Sequence, residues 1–135
     1  MALLPWDESL RIHIAQFDVE HEHLVTTLNK LYDAMTAGGE RDGLGKLLDD
    51  LVNETMTHFS SEEQIMMVNG YPDYEGHKRE HDRLAATIRR LQKEFREGKT
   101  DLNIDTMNFL KSWLKVHIKE TDMECASYLR SKGIH

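Results

Sequence analysis

The chain has one cysteine and two prolines in 135 residues. A lone thiol, Cys125, makes no internal disulfide, so stability has to come from a core, and a reducing compartment, the cytoplasm, is expected. Scarce proline leaves room for long unbroken helices. No stretch approaches the roughly 20 apolar residues of a membrane span. The opening Met-Ala-Leu-Leu-Pro-Trp-Asp lacks the basic and apolar regions of a signal peptide. Positive charge is also short: 17 Lys and Arg against 24 Asp and Glu give a net charge of −7, which disfavours nucleic acid and anionic membranes as partners. What remains, 39% hydrophobic and 30% charged, is a globular composition, and residues 1–135 suit a single domain with one core.

Glycine and polar residues punctuate the chain at 37–43, 69–73 and 98–101. Between these breaks, apolar residues recur in alternating three- and four-residue steps, which predicts helices at about 19–36, 44–68, 74–97 and 104–131. Asp18 and Asp73 stand where N-caps are needed. Residues 1–17, with Pro5 and Trp6 and no clean period, form an extended N-terminal arm. Short connections make neighbouring helices antiparallel, so the expected fold is all-α, an up-down-up-down four-helix bundle.

The apolar seams contain residues that do not belong in a core. His21 opens the first seam, and His58 and Glu62 continue the second. His77 and His81 open the third, and His117 and Asp122 continue the fourth. Alternating early and late positions on antiparallel helices bring all seven to one level of the bundle. Five imidazoles and two carboxylates are costly to bury without compensation, and a pair of transition-metal ions supplies it. Residues four apart differ by roughly 40° around a helix, so His58 with Glu62, and His77 with His81, share a direction. His117 and Asp122, five apart, differ by roughly 140°. Either Asp122 reaches across to bridge two ions, or the helix carries a π-type turn. Nitrogen-rich ligation favours iron, copper, zinc or nickel over magnesium or calcium, and seven ligands exceed one tetrahedral zinc.

The segments Asp18-x-x-His21-x-x-Leu24, His58-Phe59-x-x-Glu62-Glu63, Tyr71-Pro72 followed by His77-x-x-x-His81, and Trp113-Leu114-x-x-His117-Ile118-x-x-x-Asp122 resemble the single-domain bacterial hemerythrins. The resemblance implies a non-haem di-iron centre, oxo- or hydroxo-bridged and without haem, that binds dioxygen reversibly for intracellular storage, transport or delivery. By position, His77, His81 and His117 would hold one iron and His21 and His58 the other, with Glu62 and Asp122 bridging. The iron with two histidines would keep the open position, which small anions such as azide or chloride can also take. Leu24, Phe59, Trp113, Leu114 and Ile118 match the family's apolar oxygen pocket. Two positions depart from its common pattern: His13 stands where glycine is frequent, and Cys125 where an aromatic residue is frequent.

Several residues have plainer readings. His23 is expected in solvent, His13 on an exposed arm, and His135 at the chain end. Met56, Met66, Met67, Met107 and Met123 read as packing, Cys125 as a buried, unreactive thiol, and Asp49-Asp50 and Glu63 as solvated charge. An oxygen carrier, not an enzyme, is the expected function. The alternatives are a di-iron enzyme reducing nitric oxide or peroxide, and an oxygen or redox sensor acting through a separate protein client.

Overall fold

The computed structural model describes residues 2–135. Its four columns are α1 (Ala15–Thr36), α2 (Arg41–Val68), α3 (Tyr74–Arg96) and a composite fourth, in which α4 (Ile104–Val116), a π turn (His117–Asp122) and α5 (Met123–Ser131) follow without a break. Neighbouring columns run antiparallel, α1 on α2 and α2 on α3, with α4 closing against α1. No helix among the described residues is long and apolar enough to cross a membrane.

The expected seams are the buried ones. Leu24, Leu28 and Leu31 of α1 meet Leu48, Leu51 and Val52 of α2, Ile88 and Phe95 of α3, and Met107, Leu110 and Leu114 of α4 in one core. Each such side chain contributes about 1.5–3 kcal/mol on burial. The α2–α3 connection turns on Gly70, whose φ of 65° closes the helix end and lets the Tyr71 amide reach back to the Met66 carbonyl at 2.9 Å. At the start of α4, the Asn103 side chain accepts from the Thr106 amide at 3.0 Å, a cap worth about 1 kcal/mol.

Two helices begin earlier than their seams. The second starts at Arg41 rather than Leu44. The Arg41 guanidinium donates to the carbonyls of Phe95 and Thr100 and lies 4.1 Å above the Phe95 ring, which ties this first turn to the end of α3. The first starts at Ala15 rather than Val19, and Asp18 is not its N-cap. From inside the first turn, the Asp18 carboxylate accepts from the arm amides of Ile12 (2.8 Å) and His13 (3.1 Å). An anion at that point also complements the helix dipole.

The arm is less extended than its composition suggests. A 3-10 turn at Glu8–Leu10 interrupts it, and Leu4, Leu10, Ile12 and Ile14 are buried. Asn29 of α1 pairs with Leu4 through two 2.9 Å bonds, amide to Oδ1 and Nδ2 to carbonyl, while Arg130 donates to the Ile12 carbonyl. To bury Ile12 and Ile14 on either side of it, His13 adopts a φ of 65°, and no other described non-glycine residue has a positive φ. A glycine would take this conformation without strain.

Candidate metal centre

Each column brings its predicted residues to one buried chamber: His21 from α1, His58 and Glu62 from α2, His77 and His81 from α3, His117 and Asp122 from the fourth column. None of the seven is more than 3% exposed. The pair five residues apart is resolved by local geometry. The π turn spans His117–Asp122, and its wider i→i+5 bonding brings both ends to one face, with His117 Nε2 2.8 Å from Asp122 Oδ2.

Asp122 also spans the chamber. Its Oδ2 lies 2.6 Å from His21 Nε2 and 3.2 Å from His58 Nε2, and its Oδ1 lies 3.1 Å from His77 Nε2. Glu62 divides its oxygens in the same way. Oε1 meets His77 Nε2 and, at 3.0 Å, His81 Nε2, while Oε2 lies 3.2 Å from His58 Nε2. The donor atoms fall into two overlapping groups, one of His21, His58, Glu62, His117 and Asp122 and one of Glu62, His77, His81 and Asp122. His117 is thus grouped with His21 and His58, whereas the family pattern pairs it with His77 and His81. Its ring centre is almost equidistant from the two sides, 5.5 Å from His58 and 5.4 Å from His81.

Two carboxylates outside the predicted set complete the site. His58 Nδ1 donates to Glu20 Oε1 at 2.6 Å, and His81 Nδ1 donates to Glu63 Oε2 at 2.8 Å. Each bond holds the Nδ1 proton outward and turns Nε2 into the chamber, the ring orientation that metal ligation requires. Glu20 is itself held by Ser61 at 2.9 Å. Glu63 therefore does not belong to a solvated face: its side chain is 18% exposed and committed to His81. Both carboxylates lie one residue from a seam His or Glu; Glu63 also stands in the motif quoted above, and nothing else in the sequence marks Glu20.

Apolar groups surround the chamber. Phe59 stacks on His81 with ring centres 3.9 Å apart, and the Trp113 ring runs parallel to His117 at 6.3 Å. Leu24, Phe59, Leu114 and Ile118 are buried and Trp113 is half-buried. His13, His23 and His135 are exposed and stand outside the cluster. Cys125 is buried, and burial, reinforced by Glu62 and Asp122, pushes its thiol pKa up, so it stays protonated.

The charges are tightly coupled. Burial and Asp122 oppose ionisation of Glu62, but His58 and His77 outweigh them and hold its pKa down at about 2. Burial likewise opposes the Asp122 carboxylate, which His117, His21 and His58 keep well below the usual range. Burial disfavours the His77 imidazolium, yet Asp122 and Glu62 raise its pKa to about 9. His58 is raised well above its ordinary value by Glu62, Asp122 and Glu20 despite burial. At His117 burial prevails and the pKa falls.

Hydrogen bonds alone do not satisfy this arrangement. Glu62 Oε2 and Asp122 Oδ1 have imidazole nitrogens within 3.2 Å but no aligned donor. His21 Nε2 and His58 Nε2 face each other at 3.0 Å. Lone pairs directed at shared space rather than at one another fit two cations.

Comparison with known proteins gives the same reading. Residues 13–129 match the family model described as the hemerythrin HHE cation binding domain. The bacteriohemerythrin of Methylococcus capsulatus is 38% identical over 123 residues, 90% of this chain and 93% of that one. The myohemerythrin of Theromyzon tessulatum is 28% identical over 119 residues, 88% of each chain. A crystal structure of wild-type hemerythrin superposes with a TM-score of 0.87 at 36% identity, over 93% of this chain and 97% of that one. With the match extending from the arm to α5 and including the whole cluster, the chain belongs to the hemerythrin family.

Proposed function

We propose that the cluster holds two iron ions and binds dioxygen reversibly, for storage, transport or delivery inside the cell. The observation that carries this reading is the convergence of five imidazole Nε2 atoms on two shared carboxylates in a water-poor, apolar shell. Following the family pattern, His77, His81 and His117 would hold one ion and His21 and His58 the other, with Glu62 and Asp122 between them. The position of His117 between both sides is compatible with that division. Iron held by these residues would supply the redox chemistry that reversible oxygen binding needs.

The protein's own contribution is threefold. Glu20 and Glu63 orient His58 and His81 through their Nδ1 hydrogens. Glu62 and Asp122, held ionised, balance the charge of the cations. Leu24, Phe59, Trp113, Leu114 and Ile118 exclude water and carry no acidic proton, so the surroundings do not drive bound oxygen on to reduced products. Azide or chloride would compete for the same open position.

Oxygen uptake by the iron-loaded, reduced protein tests this. One dioxygen is expected per pair of irons, recovered on degassing. Uptake that continues past that ratio and is not returned would assign turnover to the centre instead.

A further inference from the structure

The hold on His58 extends beyond Glu20. The His58 Nδ1 donates to Glu20 Oε1 at 2.6 Å. The other oxygen of that carboxylate, Oε2, accepts from the Ser61 hydroxyl at 2.9 Å and from the Gln16 amide at 3.2 Å. Gln16 also donates to Ser61 Oγ at 2.6 Å, so the three groups close a triangle across the α1–α2 interface. Helical spacing sets it up. Gln16 and Glu20 are four apart on α1, and His58 and Ser61 are three apart on α2.

Each member has one role that fits. Facing a carboxylate, Gln16 must present its NH2, which carries the two hydrogens the triangle needs. The Ser61 hydroxyl accepts from Gln16 and donates to Glu20. Burial opposes the Glu20 charge, and the bonds from His58, Gln16 and Ser61 outweigh it. Without Gln16 and Ser61, Glu20 would be a flexible, half-buried side chain lining a cavity of about 220 Å³ that opens to solvent beside His58. Water would then compete for its oxygens. Among the described residues, no other imidazole of the cluster has such a brace. His81 has Glu63, but Lys78 stands 3.7 Å from that carboxylate, beyond hydrogen-bond reach, and bonds Asp82 instead at 3.1 Å. The Nδ1 atoms of His21 and His117 are buried with no partner.

We propose that Ser61 and Gln16 are positioning residues that act through Glu20 to fix the His58 ring for the metal ion it holds. The inference rests on the cluster being a metal centre and deepens that reading. In the division proposed above, His58 shares its ion with His21 as the only other imidazole, and that ion keeps the open position. With His21 Nδ1 unpartnered, the brace is the one side-chain anchor on an imidazole of that ion. An imidazole whose Nδ1 proton is held by a carboxylate is a more basic ligand with a fixed ring orientation. Loosening Glu20 should therefore weaken one ion of the pair and spare the other.

Two readouts test this. The first needs no metal. In isotope-labelled, metal-free protein the His58 Nδ1 proton should resonate far downfield and exchange slowly with water, as a short bond to a carboxylate requires. Ser61→Ala should move that resonance upfield and quicken its exchange. Gln16→Ala should act in the same direction but less, since the Ser61 hydroxyl remains. The second readout is a cobalt(II) titration followed by the ligand-field absorption of the bound ions. Ser61→Ala should weaken one of the two ions about tenfold, at the low end of the effect of an outer-shell partner. Ser61→Thr, which keeps the hydroxyl, should restore both readouts, and Ser60→Ala, at an exposed neighbour, should change neither. Parental cobalt affinity or an unmoved resonance in Ser61→Ala would overturn the proposal, as would an equal loss in Ser61→Thr or Ser60→Ala. Failure of the parent to bind cobalt would instead overturn the metal-centre reading, and the proton resonance would still decide whether the brace holds His58.

Discussion

Away from the metal centre, the bundle seams carry Leu28 and Leu31 on α1, Leu48 and Leu51 on α2, Ile88 and Phe95 on α3, and Met107 and Leu110 on α4. Towards the other end, the same seams carry His21, His58, Glu62, His77, His81, His117 and Asp122, all buried as deeply. The backbone scaffold is shared but the energetics are opposed. The apolar end gains free energy by excluding water. The polar end loses hydration that its internal hydrogen bonds replace only in part, since Glu62 Oε2 and Asp122 Oδ1 are left without donors. One half therefore holds the fold together while the other holds a buried cluster of His, Glu and Asp that fits a di-metal site, and bound cations would convert this second half from a liability into a crosslink of all four columns.

Removing a ligand should break this contrast most sharply. Loss of an outer-shell partner typically costs about 10–100-fold in metal affinity, so His77→Ala or His117→Ala should cost more than that and lower the iron content per chain. His23→Ala, on the exposed side of α1, should leave the content unchanged. Iron analysis after extensive dialysis distinguishes them, and equal content in all three variants would contradict the assignment.

At the apolar end, Leu51→Ala should destabilise the fold by about 2–5 kcal/mol. The loss should be similar in metal-loaded and metal-stripped protein, because Leu51 belongs to the half that needs no metal. Denaturant unfolding of both forms measures this. A loss confined to the loaded form would mean that the two ends are not energetically separate.

A smaller difference should appear with pH. The pKa of His77 rises from 6.5 to about 9 in the fold, so its contribution is full below pH 6.5 and disappears as pH rises through 9. That of Glu62 falls from 4.5 to about 2, so its contribution is full above pH 4.5 and disappears as pH falls towards 2. Metal-stripped protein should therefore melt highest between those limits and lose stability on the alkaline side. Metal displaces the His77 proton, so the loaded protein should lack the alkaline decline, and metal binding near pH 7 should release protons that calorimetry in buffers of different ionisation enthalpy detects.

The smallest effect belongs to the arm. A left-handed conformation costs a non-glycine residue about 1–2 kcal/mol, so His13→Gly should raise the unfolding free energy by about 1 kcal/mol, and the denaturation midpoint with it, glycine's larger unfolded-state entropy offsetting part of the gain. Metal content should not change. A lowered midpoint would assign the His13 side chain, 3.8 Å from Glu8, a stabilising role that outweighs its backbone strain.

The bundle and its buried cluster of His, Glu and Asp were legible because both follow one helical period. A seam that passes from leucine to histidine without shifting register identifies a core and a site together. What lay off the seam was harder to read. Glu20 and Glu63 adjoin ligands on flanks that usually face water, and only the packing of α1 on α2 and α2 on α3 turns them inward. The start of α1 was displaced because Asp18 has the chemistry of a cap, yet its acceptor capacity goes to the arm amides of Ile12 and His13. The five-residue interval between His117 and Asp122 called for either an ion-bridging Asp122 or a π turn; the π turn is present, and Asp122 contacts imidazoles of all four columns. Tertiary contact settles each of these points, and local pattern alone does not.

The most direct measurement is the near-ultraviolet and visible spectrum of iron-loaded, anaerobically reduced protein as oxygen is admitted and withdrawn over repeated cycles. Charge-transfer bands that appear with oxygen and vanish on its removal, cycle after cycle, are the result predicted for a reversible carrier. Bands that appear once and persist would contradict that account and assign the di-iron centre to redox turnover or sensing.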